Sequence, residues 1–392
     1  MVLNRMRNIA FLSTYPPREC GIATFTQDLV RELDNIKLLQ KPKIVALNND
    51  DYKYDDHRVK MEINQFNRED YIKAAKNINN SSIELLVIEH EYGIFGGECG
   101  EYLLDFVNNL NIPFVTTLHT VLPKPSFKQR EILKILGKKG KKIITMSKNT
   151  VDMLEKIYDI DKHKIEVIHH GVPFRIMPSR EKLKLKQGLK DKNIISTFGL
   201  IGPSKGLEYG IEAVAEVVKK HKDVVYLILG QTHPCIKREK GEEYRERLEK
   251  LVDSLGIKDN VWFINKYLTK DEIINYLQIS DIYMTPYLGK DQAVSGTLAY
   301  AAGYGRVIVS TPYIYAKEML SEGRGMLGEF KNAHSLAKCI DYILENPDKK
   351  REMEHKTLKV GKTMMWKSVA KQYAELFITV IEENKKEGSL VV

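Results

Sequence analysis

The stretch that decides the fold class of this chain is IISTFGLIGPSKG, residues 194–206. Its apolar first half predicts a buried strand at 194–198, its glycines and proline predict a tight loop, and a helical pattern follows at 206–219. A short β-branched run without alternation is typical of a parallel strand buried on both faces. A strand that leads through a glycine-rich loop into a helix, with Lys205 at the helix start, has the layout of a phosphate-binding turn. The Walker A spacing of glycine, lysine and hydroxyl is absent.

The same strand–loop–helix unit recurs along the chain. Predicted strands lie at 8–13, 43–47, 85–89, 114–118, 142–146, 164–168, 194–198, 224–229, 261–264, 282–285 and 307–310. Predicted helices lie at 24–33, 68–78, 101–110, 127–136, 149–157, 206–219, 242–255, 270–277, 295–302, 333–345 and 366–386. Thr24 and Ser147 are the predicted N-caps of the first and fifth helices. The pattern implies an α/β fold with two Rossmann-like, doubly wound domains joined near residue 180, and we expect the domains to face each other across a ligand-binding cleft.

Length and composition exclude several classes of protein. A chain of 392 residues with 43% hydrophobic residues exceeds one compact domain and is not largely disordered. No apolar run reaches the roughly 20 residues of a spanning helix, and no signal-peptide pattern is found, so we expect a cytoplasmic protein. The four cysteines form no CxxC pair, which predicts no zinc site. The net charge of +9 favours anionic partners, and no nucleic-acid-binding motif accompanies it.

Loops at strand ends in the first half carry groups suited to a polar ligand. Gly21 stands just before a helix, where backbone N–H groups can approach an anion; an ordinary βα turn is the alternative. The loop EHEYGIFGG, residues 89–97, gathers carboxylates, an imidazole and glycines that permit close approach of a sugar. Its predicted acceptor-binding residues are Glu89, His90, Glu91 and Gly93.

Histidines end two more strands of the first half. His119 follows the strand at 114–118, where a histidine can donate to a phosphate or a hydroxyl, and a purely structural histidine is the alternative. The motif at 169–171 predicts a packed turn, with His170 as a further candidate ligand. The pair His169 and His170 has no third ligand at metal spacing, so we predict no metal site.

Three segments of the second half carry candidate phosphate ligands. Lys205 adds positive charge to a helix N-terminus, which is unfavourable without an anion, so we predict that Lys205 and Gly202 bind the donor. Lys237 and Arg238 belong to a basic run after the next strand, where a solvated face is the alternative. The helix start that follows Asp291 offers N–H groups and hydroxyls to a phosphate or a ribose. Capping of the helix by Ser295 alone is the alternative. Its predicted donor-binding residues are Ser295, Gly296 and Thr297.

Five motifs, taken in order, point to one family. They are TYPPRECGIATF at 14–25, HEYGIFGG at 90–97, HTVLP at 119–123, HGV at 170–172 and SGTLAYA at 295–301. With them the chain resembles a glycosyltransferase of family 4, of the two-domain GT-B fold, over nearly its whole length. It looks closest to a bacterial subgroup marked by the HEYGIFGG and SGTLAYA motifs. The resemblance implies an acceptor-side domain at 1–178, a nucleotide-sugar domain at 179–365, and a C-terminal helix at 366–392 that crosses back to the first domain.

The resemblance also implies an activity and its residues. A retaining glycosyltransferase would move a hexose, such as mannose or glucose, from a nucleotide sugar to a saccharide or lipid-linked acceptor, without a metal or a cofactor. Lys205 matches the family's phosphate-binding lysine, His119 falls at its histidine near the donor sugar, and Gly21 lies in its loop near the diphosphate. Asp291 is expected to replace a family glutamate near the sugar. The implied catalytic residues are therefore His119, Lys205 and Asp291, and Lys237 joins the donor-binding set.

Two departures from the family pattern keep other functions open. Leu200 stands where the family has an arginine, and the region of Asp291 lacks the second acid that binds ribose. Losing one charged phosphate contact costs about 1.5–3 kcal/mol unless Lys237, Arg238 or Arg306 replaces it. A sugar phosphorylase, a nucleotide-sugar epimerase on the same fold, and a non-catalytic scaffold with a decayed donor site are the alternatives.

A basic segment runs from Lys124 to Lys148 and includes the apolar Phe127. Many related enzymes contact membranes through this region, which predicts peripheral contact with the inner face of the membrane. A solvated basic face and a binding surface for a phosphorylated acceptor are the alternatives.

Overall fold

The computed structural model describes residues 6–176 and 178–390, without the side chains of Cys235 and of residues 388–390. The chain divides into two compact units. Unit 1 extends to Pro173 and resumes at Met364, and unit 2 is Phe174–Thr363. The prediction that no signal peptide is present concerns the start of the chain, and the first five residues lie outside the described part. The side chain of Cys235, one of the four cysteines, also lies outside it.

Unit 1 contains a seven-stranded parallel sheet. Its strands are β1 (Ile9–Ser13), β2 (Lys43–Asn48), β3 (Val59–Asn64), β4 (Leu85–His90), β5 (Phe114–Leu118), β6 (Lys142–Thr145) and β7 (Ile165–Val167). They lie in the order β3-β2-β1-β4-β5-β6-β7. The helices between them are α1 (Gly21–Leu33), α2 (Arg68–Asn79), α3 (Tyr102–Asn108), α4 (Phe127–Lys139) and α5 (Val151–Lys156). Strands β1, β4 and β5 are buried along their whole length, as their unbroken apolar runs predict.

Unit 2 contains a six-stranded parallel sheet. Its strands are β8 (Asn193–Phe198), β9 (Val224–Leu229), β10 (Val261–Ile264), β11 (Ile282–Thr285), β12 (Val307–Ser310) and β13 (Gly325–Leu327), in the order β10-β9-β8-β11-β12-β13. Its helices are α6 (Arg180–Lys186), α7 (Leu207–Val217), α8 (Pro234–Lys240), α9 (Glu243–Ser254), α10 (Lys270–Ile279), α11 (Gly296–Gly303), α12 (Ile314–Met319), α13 (Ala333–Glu345) and α14 (Pro347–Thr363). The predicted α/β class with two Rossmann-like domains is therefore confirmed.

The strand order reverses once in each sheet. In unit 1 the reversal lies between β1 and β4, and in unit 2 between β8 and β11. Loops leave such neighbouring strands toward opposite faces of the sheet, so their carboxyl ends border a crevice that binds ligands in open parallel sheets. The two crevices are the places to look for functional side chains.

Two strands were missed by the sequence-based prediction, and both predicted N-caps were wrong. Strand β3 was missed because its residues alternate between half-buried and exposed at the sheet edge, and β13 because it has only three residues. Thr24 is not an N-cap: α1 starts three residues earlier, and the Cys20 side chain accepts from the Ala23 N–H at 3.3 Å. Ser147 precedes a short 3-10 turn rather than α5 itself.

The chain returns to unit 1 in its last helix, α15 (Trp366–Leu390), which packs on α1. The Val172 and Trp366 backbones pair, and the indole of Trp366 lies against Gly171 so closely that a Cβ there would come within 2.1 Å of the ring. Phe377 packs edge-on against Phe11 of β1 at 6.1 Å. The turn at 169–171 is thus a packing site for the returning helix.

Candidate active site

The crevice of unit 1 is built around a histidine–carboxylate pair. His119 follows β5, and its Nε2 lies 2.8 Å from Oε2 of Glu89 near the end of β4. Adjacent parallel strands bring the two side chains together, because Glu89 is opposite Thr117 in the β4–β5 register. The backbone N–H of His119 also donates to the carbonyl of His90 at 3.0 Å. The predicted catalytic histidine is therefore held by two residues of the predicted acceptor loop.

Glu89 is deeply buried. Its side chain is 0% exposed, and burial raises the pKa of its carboxyl above the usual range, although the bond to His119 opposes the shift. Its Oε1 has no hydrogen-bond partner. In this structure the direct contact of Glu89 is with His119.

Two more histidines near this pair are buried and neutral at pH 7. Burial lowers the pKa of His90 to about 3, and its ring stacks on Phe95 with both nitrogens unpartnered. Burial lowers the pKa of His170 to about 4, and its Nδ1 lies 2.7 Å from the Gly171 carbonyl. A neutral imidazole in an apolar site avoids the cost of burying a charge.

Two glycines of the loop after β4, Gly93 and Gly96, have different surroundings. A Cβ at Gly93 would meet nothing within 4 Å, whereas a Cβ at Gly96 would come within 1.9 Å of the Gln65 carbonyl. Gln65 fixes the loop by donating from Nε2 to the Gly93 carbonyl at 3.1 Å, and Glu91 accepts from the Thr120 hydroxyl. The free surface at Gly93 can accept a ligand, while Gly96 is there for packing.

The N-terminus of α1 forms the β1 side of this crevice. Gly21 is exposed, and a Cβ there would meet nothing within 4 Å. Phe25, one turn further on, packs edge-on against the rings of His119, His170 and Trp366 at 4.9, 5.1 and 5.0 Å. Sequence reasoning missed Phe25 as part of this site, and its place in the TYPPRECGIATF motif was the available signal.

The crevice of unit 2 is built around a lysine on a tyrosine. Lys205 ends a 3-10 turn after β8, and its Nζ lies 3.9 Å from the ring centroid of Tyr287, just after β11. Gly206 follows in the left-handed region at φ 58°, so the chain turns sharply and α7 begins at Leu207 rather than at Lys205. No described carboxylate lies within 4.0 Å of the Lys205 ammonium. A cation on an aromatic face without a counter-ion can bind an anionic ligand.

Glycines around this lysine let main chains come close. A Cβ at Gly230 would come within 2.0 Å of the Gly199 carbonyl, and Gly230 has φ 141°, so only glycine fits there. A Cβ at Gly202 would meet Ile236 at 2.5 Å. The predicted role of Gly202 in donor binding therefore has a packing reason beside it.

Helix α11 points its N-terminus into the same region. The Ser295 hydroxyl caps it by accepting from the Leu298 N–H at 3.3 Å, and lies 3.2 Å from the Thr297 hydroxyl. Thr297 is in turn 3.0 Å from the Tyr287 Oη, which links the helix start to the ring beneath Lys205. Gly296 is half-buried as the first residue of the helix. The predicted residues Lys205, Ser295, Gly296 and Thr297 therefore share one neighbourhood.

Other predicted donor ligands of unit 2 have different surroundings. Asp291 is exposed in a turn and has no hydrogen bond to a described residue. Lys237 is exposed and pairs with Glu242 at 3.1 Å. Arg306 is buried and donates to three backbone carbonyls, so it does not supply the missing family arginine.

The basic segment between Lys124 and Lys148 is partly neutralised within unit 1. Its paired cations are Lys128 with Glu98 and Glu101, Lys134 with Asp159, Lys141 with Glu387, and Lys142 with Glu166. Phe127, the first residue of α4, is 81% exposed.

Comparison with known proteins agrees with this arrangement. Residues 21–175 match the family described as Glycosyltransferase Family 4, and residues 179–360 match Glycosyl transferases group 1. The crystal structure of a glycosyltransferase from Rickettsia africae superimposes with a TM-score of 0.77 at 20% identity, covering 97% of this chain and 99% of that one. The chain is a GT-B glycosyltransferase, similar to family 4.

Two further relatives of this glycosyltransferase are informative. An uncharacterized glycosyltransferase of Methanocaldococcus jannaschii is 26% identical over 256 residues, which cover 64% of this chain and 62% of the relative, less than two thirds of its length. HepE of Anabaena, crystallised with UDP and glucose, has a TM-score of 0.76 at 15% identity and covers 95% of this chain and all of that one. At such identities the structural likeness concerns the fold.

The described residues contain neither a metal-binding cluster nor a membrane-spanning helix. No cluster of three or more histidine, cysteine, aspartate or glutamate side chains there could hold a metal ion. No described helix is both long and apolar enough to span a membrane.

Proposed function

We propose that this glycosyltransferase is retaining, and that it transfers a hexose from a nucleotide-sugar donor to a saccharide or glycolipid acceptor without a divalent metal. The observation that carries the proposal is the Lys205 ammonium, held on the Tyr287 ring beside the N-terminus of α11 and without a carboxylate partner. A diphosphate leaving group gains negative charge as the glycosidic bond breaks, and a cation with nearby amides stabilises that charge. Lys205 and the α11 amides would then take the part that a metal plays in other transferases.

The proposed division of labour follows the two crevices. Unit 2 would bind the nucleotide and its phosphates through Lys205, Gly202 and the residues at the start of α11, with Lys237 and Asp291 as outer ligands. Unit 1 would present Gly21 to the diphosphate and His119 to the sugar. The acceptor would bind along the loop after β4, where Gly93 leaves open surface and Glu91 is partly exposed.

We propose mannose or glucose as the transferred hexose; the HepE complex contains UDP and glucose. We therefore propose a GDP- or UDP-hexose as the donor. Leu200 in place of an arginine argues for tests of several nucleotides rather than one.

The test compares Lys205→Ala with the intact protein. We expect thermal shift with UDP-, GDP- and ADP-sugars to identify a donor, and Lys205→Ala to lower kcat on it about 100- to 1,000-fold, because a preorganised charge opposite the leaving group is lost. Lys258→Ala is the matched control, since Lys258 pairs with Asp253 on an exposed surface of unit 2. EDTA should leave the rate unchanged, and the anomeric configuration of the product should equal that of the donor.

Four outcomes would contradict parts of this proposal. If no nucleotide sugar raises the melting temperature or turns over, the donor site is not functional and a scaffold role is favoured. A donor altered without acceptor indicates an epimerase, and transfer from a sugar 1-phosphate indicates a phosphorylase. Loss of activity in EDTA, restored by a divalent cation, would refute metal independence.

We also propose that the surface around Phe127 contacts anionic membranes during transfer to a lipid-linked acceptor. An exposed phenylalanine at a basic helix start suits an interfacial contact. Sedimentation with vesicles containing anionic lipid, compared for the intact protein and Phe127→Ser, measures it; equal sedimentation of both would refute the role of Phe127.

A further inference from the structure

The pair formed by Glu89 and His119 has one buried end and one accessible end. Oε2 of Glu89 and Nε2 of His119 are 2.8 Å apart, and the two side chains are 0% and 10% exposed. Nδ1 on the other side of the ring makes no hydrogen bond to a described residue, yet it is not among the buried unpartnered atoms. Nδ1 is therefore the one polar atom of the pair that is free to meet a ligand.

The imidazole has little freedom to turn. Its backbone is tied to His90 by a hydrogen bond of 3.0 Å, and its ring packs edge-on against Phe25 at 4.9 Å with the planes 88° apart. A flip of the ring would break the bond to Glu89 and leave a fully buried carboxyl without its hydrogen-bond partner, which is unfavourable. The contacts of the pair therefore select one ring orientation.

Four neighbours of the pair carry no positive charge at pH 7: His90, His170, Tyr373 and Glu91. His90 and His170 are neutral at pH 7, because burial lowers the pKa values of both. Tyr373 of α15 lies close to Glu89 and stays protonated, since burial raises its pKa well above the usual value. Glu91, the nearest other carboxylate in the loop, is bonded to Thr120. A net charge on the pair would have no counter-ion among these neighbours.

Proton counting then distinguishes three states. A carboxylate facing an imidazolium is neutral overall, and so is a carboxylic acid facing a neutral imidazole; in both, Nδ1 carries a proton. A carboxylate facing a neutral imidazole with its proton on Nε2 leaves Nδ1 bare, but it buries one net negative charge, which is costly at an unshielded site. The two neutral states are favoured.

We propose that Glu89 is the positioning residue of His119: the two share one proton between Oε2 and Nε2, and a second proton on Nδ1 faces the ligand. His119 then acts as a fixed hydrogen-bond donor toward an oxygen of the donor sugar or its phosphates. The inference rests on the proposed function for the identity of the ligand, but the protonation of the ring does not depend on it.

Nitrogen NMR tests the protonation directly. The protein is labelled with 15N-histidine, and the His119 signals are assigned by their absence in His119→Gln. At pH 7.5 without ligand, we expect Nδ1 of His119 to be protonated, and Glu89→Gln to lose or average that state because no acid proton remains to share. A wild-type ring protonated only at Nε2 would overturn the proposal, whether or not the enzyme is active.

Kinetics tests the consequence for transfer. We expect Glu89→Gln to lower kcat about 10- to 100-fold and to change the donor KM by less than about threefold, because binding by unit 2 is untouched. The double variant with His119→Gln should be no slower than His119→Gln alone, since residues that act as a unit are not additive. Effects that multiply, or a KM that rises instead of a falling kcat, would show that Glu89 does not act through His119.

The matched control is Glu84→Gln, at the residue just before β4. Glu84 accepts from the Asn8 N–H and from Lys385, so this variant tests a carboxyl-to-amide change next to the same strand, away from the crevice. Its kcat should match that of the wild type. If no donor is found, the proposed function fails and the kinetic test cannot be made. The NMR measurement needs no donor and then decides the protonation of His119 by itself.

Discussion

A buried carboxylate lies at the sheet of each unit, Glu89 in unit 1 and Asp281 in unit 2, and the two behave in opposite ways. Glu89 in unit 1 has a single imidazole as partner, and burial raises the pKa of its carboxyl. Asp281 in unit 2 is bonded to Lys184, Lys350 and Arg180 and to the Ile194 N–H, and these cations hold its pKa below the usual value against the effect of burial.

The contrast teaches that partners, rather than burial, decide what a buried carboxylate does. Asp281 is surrounded by fixed positive charges and keeps its negative charge, so it ties α6 and α14 to the start of β8. Glu89 has a partner that can take or give a proton. One carboxylate is an anchor and the other is suited to chemistry.

The largest expected effect comes from removing the anchor. Asp281→Asn should lower the free energy of unfolding of unit 2 by about 3 kcal/mol at pH 7.5, because Lys184 and Lys350 lose their carboxylate partner and Arg180 keeps only Glu354. Glu89→Gln should change the stability of unit 1 by less than about 1 kcal/mol. Urea unfolding can follow each unit by its own tryptophan: Trp262 in unit 2 after Trp366→Phe, and Trp366 in unit 1 after Trp262→Phe. Equal decreases in the free energy of unfolding for the two substitutions would contradict this difference between Asp281 and Glu89.

A second prediction concerns acid. The pKa of His90 falls from its ordinary 6.5 to about 3 on folding, so the unfolded chain binds more protons between these values and stability is lost as the pH falls. From pH 7.5 to 5 this one histidine should cost unit 1 about 2 kcal/mol. Glu89 has the opposite sign, since its raised pKa favours the folded state at low pH, and Asp281 loses its contribution only below its unfolded value near 3.8.

His90→Phe isolates the histidine term. Both ring nitrogens of His90 lack partners and the ring stacks on Phe95, so phenylalanine keeps the packing and removes the titration. The unfolding free energy of unit 1 should then change with pH about 2 kcal/mol less than in the wild type. An unchanged pH dependence would mean that His90 is not the buried titrating group.

The smallest effect is expected at the lysine of unit 2. Tyr287→Leu should weaken donor binding about fivefold, because it removes the ring under Lys205, an interaction worth about 1 kcal/mol. Tyr287→Phe keeps the ring and loses only the contact with Thr297, so calorimetric titration should find an affinity close to that of the wild type. Equal losses in both variants would assign the effect to the hydroxyl instead.

Much of the fold was predictable because its strands are continuous apolar runs. The predicted strands at 224–229, 261–264, 282–285 and 307–310 have the observed limits. The edge strand β3 escaped because it alternates like a surface segment. The start of α1 escaped because a thiol caps it, and cysteine is not among the usual capping residues.

The sequence pointed to single residues of the candidate site but not to the pairs that they form. The rule that ligands bind at strand ends selected Glu89, His119 and Lys205. That Glu89 bonds to His119, and that Lys205 rests on Tyr287, depends on which strands are neighbours in each sheet, and the sequence does not display that order. Arg306 donates to backbone carbonyls because it is buried, and that burial is seen only in the structure.

The returning helix has a consequence for biosynthesis. Trp366, which fills the space beside Gly171 and Phe25, is translated only after the whole of unit 2. At roughly 5–20 residues per second a ribosome needs on the order of 10 s or more for that segment, and domains otherwise tend to fold in the order of their synthesis. On the ribosome, unit 1 therefore lacks its last helix, α15, until the whole of unit 2 has been synthesised.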